Sequence, residues 1–498
     1  MALLPLTGLF LGAGASFEAG MPLVWELTEQ LRNLLNPEVL RENNRARQSS
    51  GDHTLSDQVL DDLIAMSQRQ SAHYEAVLGY LEVQFRRQRD RKLAQQYHRL
   101  YSWLVEGVSR LLLARHVEKP AYLKSLLRFY DGLRALAEAN APLWIFSLNH
   151  DLIIELIAAR LSIPIRSGFS DSRVTFPYRN AKGDILGQLR GEVLTDYVLE
   201  KEALYFPNLP KPGINLLKVH GALDIFAINN EGKDLVKLLP AEPTENAIIE
   251  MLRTANENLF YTDSNFCGER VNAINEIAYA DEQGVLQFFR RSLLAGAFKF
   301  DPRISQVLPK SMLKHFQANI NFVSTLVCLG YSFGDIHINN VLRDWLESSS
   351  ERKLEIVDPI ERPVPSFLLH LLPQIAVIKS TATEYLDAAA GITRSRADDL
   401  EKRINILIRS KLSKNGQAAR QSLSDFHSAD LQRATAGFME KVRRSVPIVD
   451  GKPDFSALGD PKETVTKWAL ELGATPDQFL EKLYQHLQAQ AGENEPGS

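Results

Sequence analysis

Four short segments of this sequence combine residue types that could bind or transform a small ligand. They occupy residues 12–16, 149–151, 220–221 and 330–335, and each directly follows an apolar run that predicts a strand. Glycine lets a ligand approach the backbone closely, and asparagine, aspartate and histidine supply hydrogen bonds and proton transfer. If the strands are parallel, all four segments lie at the carboxyl edge of one sheet, where ligands bind.

The first segment, residues 12–16, is a turn of small residues between a predicted strand and a predicted helix. This layout places a phosphate over a helix N-terminus. Gly12 and Gly14 permit a tight turn, and Ser16 adds a hydroxyl donor. The full dinucleotide fingerprint is absent because Phe17 stands where its third glycine belongs, and no Walker A motif follows. An ordinary strand-to-helix turn is the alternative.

The next two segments carry the candidates for catalysis. Asn149 and Asp151 follow a predicted strand and precede a predicted helix, so both would point near the crevice of an open sheet. Both residue types are also ordinary helix N-caps, which is the alternative. Among the 11 histidines, His220 alone has a predicted strand before it and a glycine after it. A neutral imidazole at such a strand end is a plausible base.

The fourth segment follows the predicted strand 324–329 and contains Gly330, Ser332 and Asp335 before a further helix. The next predicted strand ends in an acidic residue, Asp358. An acidic strand end of this kind often accepts a hydrogen bond from a ribose hydroxyl. These residues are therefore candidates for binding the nucleoside part of a ligand.

Composition indicates a globular protein of two or three domains. The 498 residues are 45% hydrophobic and 24% charged, with a formal net charge of −4, which gives no overall attraction to nucleic acid or acidic membranes. No apolar run approaches the roughly 20 residues that span a bilayer. Cys267 and Cys328 are too few for a disulfide framework or a four-cysteine zinc site. We therefore expect a cytoplasmic protein without zinc, and neither membrane nor direct nucleic-acid binding.

Strands that alternate with helices predict an α/β fold with a doubly wound, Rossmann-like parallel sheet. We expect residues 1–386 to form the ligand-binding domain, with helical insertions at about 41–140 and 239–322. Residues 387–498 are expected to form a helical module for assembly or regulation, with a polar tail. One apolar stripe in this module must bury against another subunit or against its own: Ile404, Leu407, Ile408 and Leu412.

The four segments, in this order, resemble the sirtuin fold of NAD-consuming enzymes. More closely, they resemble the sirtuin-like NAD hydrolases of bacterial anti-phage defence, over roughly residues 6–386. The resemblance implies a sirtuin-like catalytic domain that takes NAD as its substrate. It further implies hydrolysis of the nicotinamide–ribose bond to nicotinamide and ADP-ribose, which depletes NAD during infection.

The resemblance also implies roles for the candidate residues. Asn149 and Asp151 would act at the nicotinamide ribose, and His220 would orient or deprotonate the water or a ribose hydroxyl. The pyrophosphate and the adenosine would be bound by two sets of residues, the first being Gly12, Ala13, Gly14 and Ser16, the second Gly330, Ser332, Asp335 and Asp358. Breaking the glycosidic bond produces an oxocarbenium-like ribose, which positioned dipoles stabilise.

Several parts of a deacylating sirtuin are missing here. The zinc ribbon is absent, since Cys267 is the one cysteine of the region that would hold it; no arginine follows the Gly-Met-Pro run at 20–22, and Leu148 replaces the usual glutamine. These departures favour water as the acceptor. A deacylase, an ADP-ribosyltransferase and a non-catalytic NAD- or ADP-ribose-sensing module are the alternatives. The apolar stripe of the C-terminal module leads us to expect a homo-oligomer, and the resemblance implies a partner ATPase of the HerA type or a phage-sensing protein.

Overall fold

The computed structural model describes residues 6–49, 54–169, 172–179, 184–207, 212–228, 234–258, 272–273, 276–280, 286–293, 308, 310–412, 448–449 and 452–453. The chain divides into two compact units, Met1–Ile392 and Thr393–Ser498. Every candidate site residue lies in the first unit.

The strands and helices of the described residues follow one another along the chain. The strands are β1 Thr7–Leu11, β2 Leu143–Ser147, β3 Ile165–Arg166, β4 Arg173–Arg179, β5 Ile185–Leu194, β6 Ile214–Lys218, β7 Ile225–Ile228, β8 Asp234–Leu239, β9 Asn272–Ala273, β10 Glu276–Ala280, β11 Leu286–Arg291, β12 Thr325–Leu329, β13 Lys353–Asp358, β14 Ile375–Lys379, β15 Ile448–Val449 and β16 Lys452–Pro453. The α-helices are α1 Val24–Leu34, α2 Pro37–Ser49, α3 Asp57–Ser67, α4 Tyr74–Arg87, α5 Arg91–Val117, α6 Pro120–Leu127, α7 Leu133–Ala139, α8 Ile153–Arg160, α9 Asp196–Lys201, α10 Glu245–Arg253, α11 Ser311–Asn319, α12 Ile336–Glu347, α13 Ala382–Ala390 and α14 Arg396–Leu412.

A parallel sheet of seven strands forms the centre of the first unit, in the order β14-β13-β12-β1-β2-β6-β3. From β1 the chain adds β2 and β6 on one side, and it then returns to add β12, β13 and β14 on the other. The strand order therefore reverses between β1 and β12, where open α/β sheets leave a crevice for ligands. This architecture confirms the predicted α/β class with a Rossmann-like parallel sheet.

The parallel sheet is covered by helices on both faces, because side chains alternate along each strand. On β1, Leu9 and Leu11 join a core cluster that includes residues of α1, α5, α6 and α8. Phe10 points to the other face and joins a second cluster with residues of α11 and α12. All three side chains are at most 2% exposed, and each such burial contributes about 1.5–3 kcal/mol. Helices on both faces make the sheet doubly wound, as predicted.

The prediction that residues 239–322 form a helical insertion is wrong for part of that range. Helices α10 and α11 lie there, but so do β9, β10 and β11, which join an antiparallel sheet in the order β4-β5-β8-β7-β11-β10-β9. The longest of these three strands has six residues. Apolar runs this short do not distinguish helix from strand by periodicity.

The predicted end of the first domain, residue 386, falls inside helix α13. Leu386 is 3% exposed, and its carbonyl oxygen lies so close to Gly132 that a Cβ there would be 2.2 Å away. Helix α13 is thus part of the first unit. In the second unit, helix α14 contains the positions of the predicted apolar stripe, but the side chains of Ile404, Leu407, Ile408 and Leu412 lie outside the described part of the chain.

Candidate active site

Three glycines bring the ends of β1 and β12 together at the point where the strand order reverses. The Gly12 N–H donates to Leu329 O and the Gly14 N–H donates to Gly330 O, both at 3.0 Å. A Cβ on Gly12 would lie 2.5 Å from Gly330 O. Gly330 also has a φ of 59°, in the left-handed region that favours glycine. The backbones touch here because none of the three residues has a side chain.

This contact changes the expected role of the first segment. The Gly12 and Gly14 amides were expected to donate to a pyrophosphate, but the structure uses both within the protein. The chain then forms a 3₁₀ turn, Ala13–Ser16, and α1 begins only at Val24. An anion here would therefore meet the half-buried 3₁₀ turn, instead of the first turn of a long α-helix.

Two side chains from distant elements hold this turn in place. The Tyr130 hydroxyl donates to Ala15 O at 2.9 Å and accepts from the Ala19 N–H at 3.1 Å. The Glu18 carboxylate accepts from the amide and the hydroxyl of Thr383, at 2.9 and 2.8 Å. All these contacts join residues more than a hundred positions apart, so the sequence contains no local signal for them.

Asn149 connects the end of β2 to the glycine turn. Its side-chain nitrogen donates to Gly12 O at 2.9 Å and to Ser16 Oγ at 3.0 Å. Its own amide donates to Ser147 Oγ at 3.1 Å. The residue is 8% exposed. Asn149 is therefore not a helix cap here, because its side-chain amide is oriented by the turn at residues 12–16.

Asp151, in contrast, bonds the start of the following helix, close to what the helix-capping alternative describes, although the N-cap itself is Leu152. Its Oδ1 accepts from the Ile153 N–H at 3.1 Å, in the first turn of α8. Next to it, the Leu152 N–H donates to His116 Nε2 at 3.1 Å, and His116 Nδ1 contacts Leu112 O at 2.8 Å. Burial lowers the pKa of His116 below its ordinary value. A neutral His116 ring that donates through Nδ1 and accepts through Nε2 satisfies both contacts.

A buried lysine donates hydrogen bonds to the backbone of the 149–151 loop. Lys218, the last residue of β6, donates through Nζ to Asn149 O at 3.3 Å and to Asp151 O. Its ammonium lies 3.5 Å from Glu155 Oε2. Lys218 is a functional residue that the motifs did not reveal, although a lysine at the end of a largely apolar strand, two residues before His220, was a usable signal.

Glu155 extends this charged group to a second buried ion pair. Its Oε1 lies 3.7 Å from Lys237 Nζ, and Lys237 also bonds Asp224 Oδ2. Burial acts to lower the pKa of Lys237, but the neighbouring carboxylates outweigh burial and raise it above its ordinary value. Lys237 therefore stays charged, and two cations alternate with two carboxylates beneath the site.

His220, in the turn after β6, faces Asp335, the residue before α12. The distance from His220 Nε2 to Asp335 Oδ2 is 3.3 Å, and the two side chains are 4% and 10% exposed. The ring of His150 lies nearby, with its centroid 6.4 Å from that of His220. The sequence assigned Asp335 to the nucleoside side, but the structure places its carboxylate against the predicted base.

The antiparallel sheet supports the turn that carries His220. Gly221 has a φ of 78°, and a Cβ on it would lie 2.2 Å from Ser292 O, directly after β11. Ser292 is itself fixed, since its hydroxyl donates to Ile225 O at 2.7 Å. Part of the range predicted as a helical insertion thus positions the candidate base.

The remaining predicted residues lie at the same edge of the sheet but are less closely connected. Ser332 is exposed. Asp358 ends β13, where its Oδ1 accepts from the Ile360 N–H at 2.8 Å and its Oδ2 lies 3.6 Å from Arg362 Nε. The structure therefore joins the Asn149 side chain to the glycine turn and His220 to Asp335, whereas Asp358 binds its own loop.

Comparison with known proteins gives no family: the chain matches no family model, and no curated protein is significantly similar to it. Across the described ranges, no three histidine, cysteine, aspartate or glutamate residues are grouped so that they could hold a metal ion. Cys267 lies outside those ranges. None of the helices described here is both long enough and apolar enough to cross a membrane.

Proposed function

We propose that the crevice at the carboxyl edge of the parallel sheet binds NAD and hydrolyses its nicotinamide–ribose bond, releasing nicotinamide and ADP-ribose. One observation carries this proposal. An asparagine amide is held on the glycine turn at the strand reversal, and a histidine paired with a carboxylate lies at the same edge. A ligand in this crevice would contact both groups.

The glycine contact supports the binding of a dinucleotide. The contact of Gly12 and Gly14 with Gly330 fixes the Ala13–Ser16 turn at the strand reversal, where a pyrophosphate would meet it. The exposed Ser332 hydroxyl and the strand end at Asp358 lie on the β12 and β13 side of the reversal. That side would hold the adenosine.

Asn149 suits the stabilisation of a cationic ribose. Its Nδ2 donates to two oxygens of the glycine turn, so the orientation of the whole amide is fixed before a ligand binds. The negative end of that dipole, Oδ1, would stabilise the positive charge that develops on the ribose as the glycosidic bond breaks. Preorganised dipoles of this kind often contribute the largest part of catalysis.

In the proposed reaction, the bond between the ribose C1′ and the nicotinamide ring nitrogen breaks, and its electron pair stays with the nicotinamide. A water oxygen bonds to C1′, and His220 takes the proton that this water loses. A general base of this kind typically contributes about 10²–10⁴-fold. Asp151 would act through the loop, since its Oδ1 accepts from the first amide of α8.

The test is incubation of the purified full chain with NAD, with chromatographic identification of the products. We expect nicotinamide and ADP-ribose from the wild type, and a loss of about 10²–10⁴-fold in the His220→Ala variant. His370→Ala is the matched control, because His370 is 54% exposed and contacts Glu347, which is not a candidate site residue. Circular dichroism verifies that both variants fold. Unchanged turnover by a folded His220→Ala protein would exclude His220 as the base.

The same incubation distinguishes the alternatives. Acetyl-ADP-ribose that forms only with an acetylated peptide would indicate a deacylase, and absence of turnover under every condition would indicate a sensing module. We also propose a homo-oligomer that depletes NAD in response to a partner or an infection signal. Light scattering on the full chain and on a chain that ends at Ile392, after helix α13, tests whether the second unit drives assembly.

A further inference from the structure

Asp335 is fixed on one side by the helix that it begins. Its Oδ1 accepts from the amides of His337 and Ile338, at 3.0 and 3.3 Å, so it is the N-cap of α12. An aspartate in this position stabilises a helix by about 1 kcal/mol. Rotation of the carboxylate would lose both bonds, and its second oxygen is therefore held in one direction.

The second oxygen points at the candidate base. Asp335 Oδ2 lies 3.3 Å from His220 Nε2, and both side chains are buried. His220 is also fixed through its neighbour in the chain, because the backbone of Gly221 packs against Ser292. The contact thus joins the carboxylate that caps α12 to an imidazole in the turn after β6, and each side chain is fixed by its own surroundings.

We infer that Asp335 is a positioning residue for His220, a role that rests on the proposed function of His220 as the base in NAD cleavage. The negative charge of Asp335, 3.3 Å from Nε2, favours the neutral ring that carries its proton on Nε2 and leaves the lone pair on Nδ1. It also stabilises the imidazolium that forms when His220 takes the proton from water. Asp335 itself does not touch the reacting atoms.

Other titratable and charged groups belong to the segments next to His220. The His150 ring is a neighbour, and Lys218, two residues before His220, has its ammonium on the carbonyl oxygens of the 149–151 loop. Asp151 belongs to the same loop. Removing the Asp335 charge leaves all three groups in place, so a change in His220 protonation in such a variant reports on Asp335.

Two substitutions remove the charge but keep the helix cap: Asp335→Asn and Asp335→Ser, since both residue types are good N-caps. Asp90→Asn is the matched control. Asp90 begins α5 in the same way, with its Oδ1 accepting from the amides of Lys92 and Leu93 at 2.8 and 3.4 Å. It is exposed, and so the loss of its charge should change the cap alone.

The first measurement is independent of any turnover. In full-length protein with ¹³C-labelled histidine, the ring signal of His220 is identified by its absence in His220→Gln, and its chemical shift is followed against pH. We expect its titration midpoint to move about 1 pH unit lower in both Asp335 variants and to stay unchanged in Asp90→Asn. An unchanged midpoint in the Asp335 variants would overturn the inference.

The second measurement is NAD turnover against pH. We expect kcat to fall about tenfold in both Asp335 variants while KM for NAD changes less, and the acidic limb of the profile to move to lower pH. A kcat and a pH profile equal to those of the wild type would also overturn the inference. If no protein cleaves NAD, the proposed function fails, yet the ring titration still decides whether Asp335 positions His220.

Discussion

At the β1 and β12 ends of the candidate site, three glycines bring two backbones into contact, whereas at the β2 and β6 ends buried polar and charged side chains hold the loop of residues 149–152. We call these the glycine half (Gly12, Gly14 and Gly330) and the charged half (His116, Glu155 and Lys218). The glycine half depends on the absence of side chains. The charged half depends on side chains that carry or exchange protons.

This difference predicts how each half responds to change. A backbone contact tolerates no added atom, but pH does not affect it. A buried ion network tolerates modest changes of shape, but the loss of one charge leaves its partner unpaired in a medium that solvates it poorly. Substitutions that add atoms should therefore destabilise the glycine half. Substitutions that remove a charge, and changes of pH, should destabilise the charged half.

The largest effect is expected for Gly330→Ala. Its Cβ would lie 2.4 Å from Gly14 Cα, and the residue has a φ of 59°. Left-handed strain and overlap together should lower the free energy of unfolding by about 4 kcal/mol. Urea denaturation followed by circular dichroism measures this change.

Gly391 provides the matched control for this prediction. Its φ of 64° is nearly the same, but a Cβ on Gly391 would have no atom within 4 Å. Gly391→Ala should therefore lower the free energy of unfolding by the cost of backbone strain alone, about 1 kcal/mol. Equal losses in the two variants would show that backbone strain, and not the close contact, makes glycine necessary at position 330.

A smaller effect is expected for Lys218→Met, which removes one charge from the network at nearly constant length. Glu155 would keep Lys237 as a partner, but the carbonyl oxygens of the 149–151 loop would lose their donor. Breaking a buried pair of this kind costs about 3 kcal/mol. We expect that loss in urea denaturation, together with reduced NAD turnover, because the Asn149 loop loses its support.

Lys314→Met is the control that removes a lysine charge from an exposed ion pair. Lys314 pairs with Glu200 at 3.4 Å on the surface, with side chains 69% and 41% exposed. Exposed pairs contribute at most about 1 kcal/mol, so this variant should remain close to the wild type. If Lys218→Met were equally well tolerated, the charged half would not support the site as described.

The two halves also differ in how far the sequence predicted them. The position of the glycine half at strand ends was predictable, because Gly12, Gly14 and Gly330 follow apolar runs, but the contact between the three glycines was not, because no sequence pattern shows that β1 and β12 are neighbours. The pairing of His220 with Asp335 was not predictable. The two residues follow β6 and β12, which β1 and β2 separate in the sheet, and no sequence pattern shows that their side chains meet. Nor was the support of Gly221 by Ser292 predictable, since it comes from short strands that have no helical or alternating period.

The smallest effect concerns pH and the charged half. His116 is fully buried as a neutral ring, and burial lowers its pKa from the ordinary value of 6.5. The unfolded chain therefore binds a proton near pH 6.5 that the folded chain does not yet bind. Stability should be complete above about pH 6.5 and should decrease below it, by at most about 1.4 kcal/mol per pH unit for one histidine.

His116→Gln tests this origin, because a glutamine amide can still donate to Leu112 O and accept from the Leu152 N–H but does not titrate. We expect urea denaturation at several pH values to give a smaller slope of stability against pH below 6.5 than in the wild type. His370→Gln, at a side chain that is 54% exposed, is the matched control for the replacement of a surface histidine. An unchanged slope in His116→Gln would assign the acid sensitivity elsewhere, with buried His315, whose pKa burial also lowers, as the next group to replace.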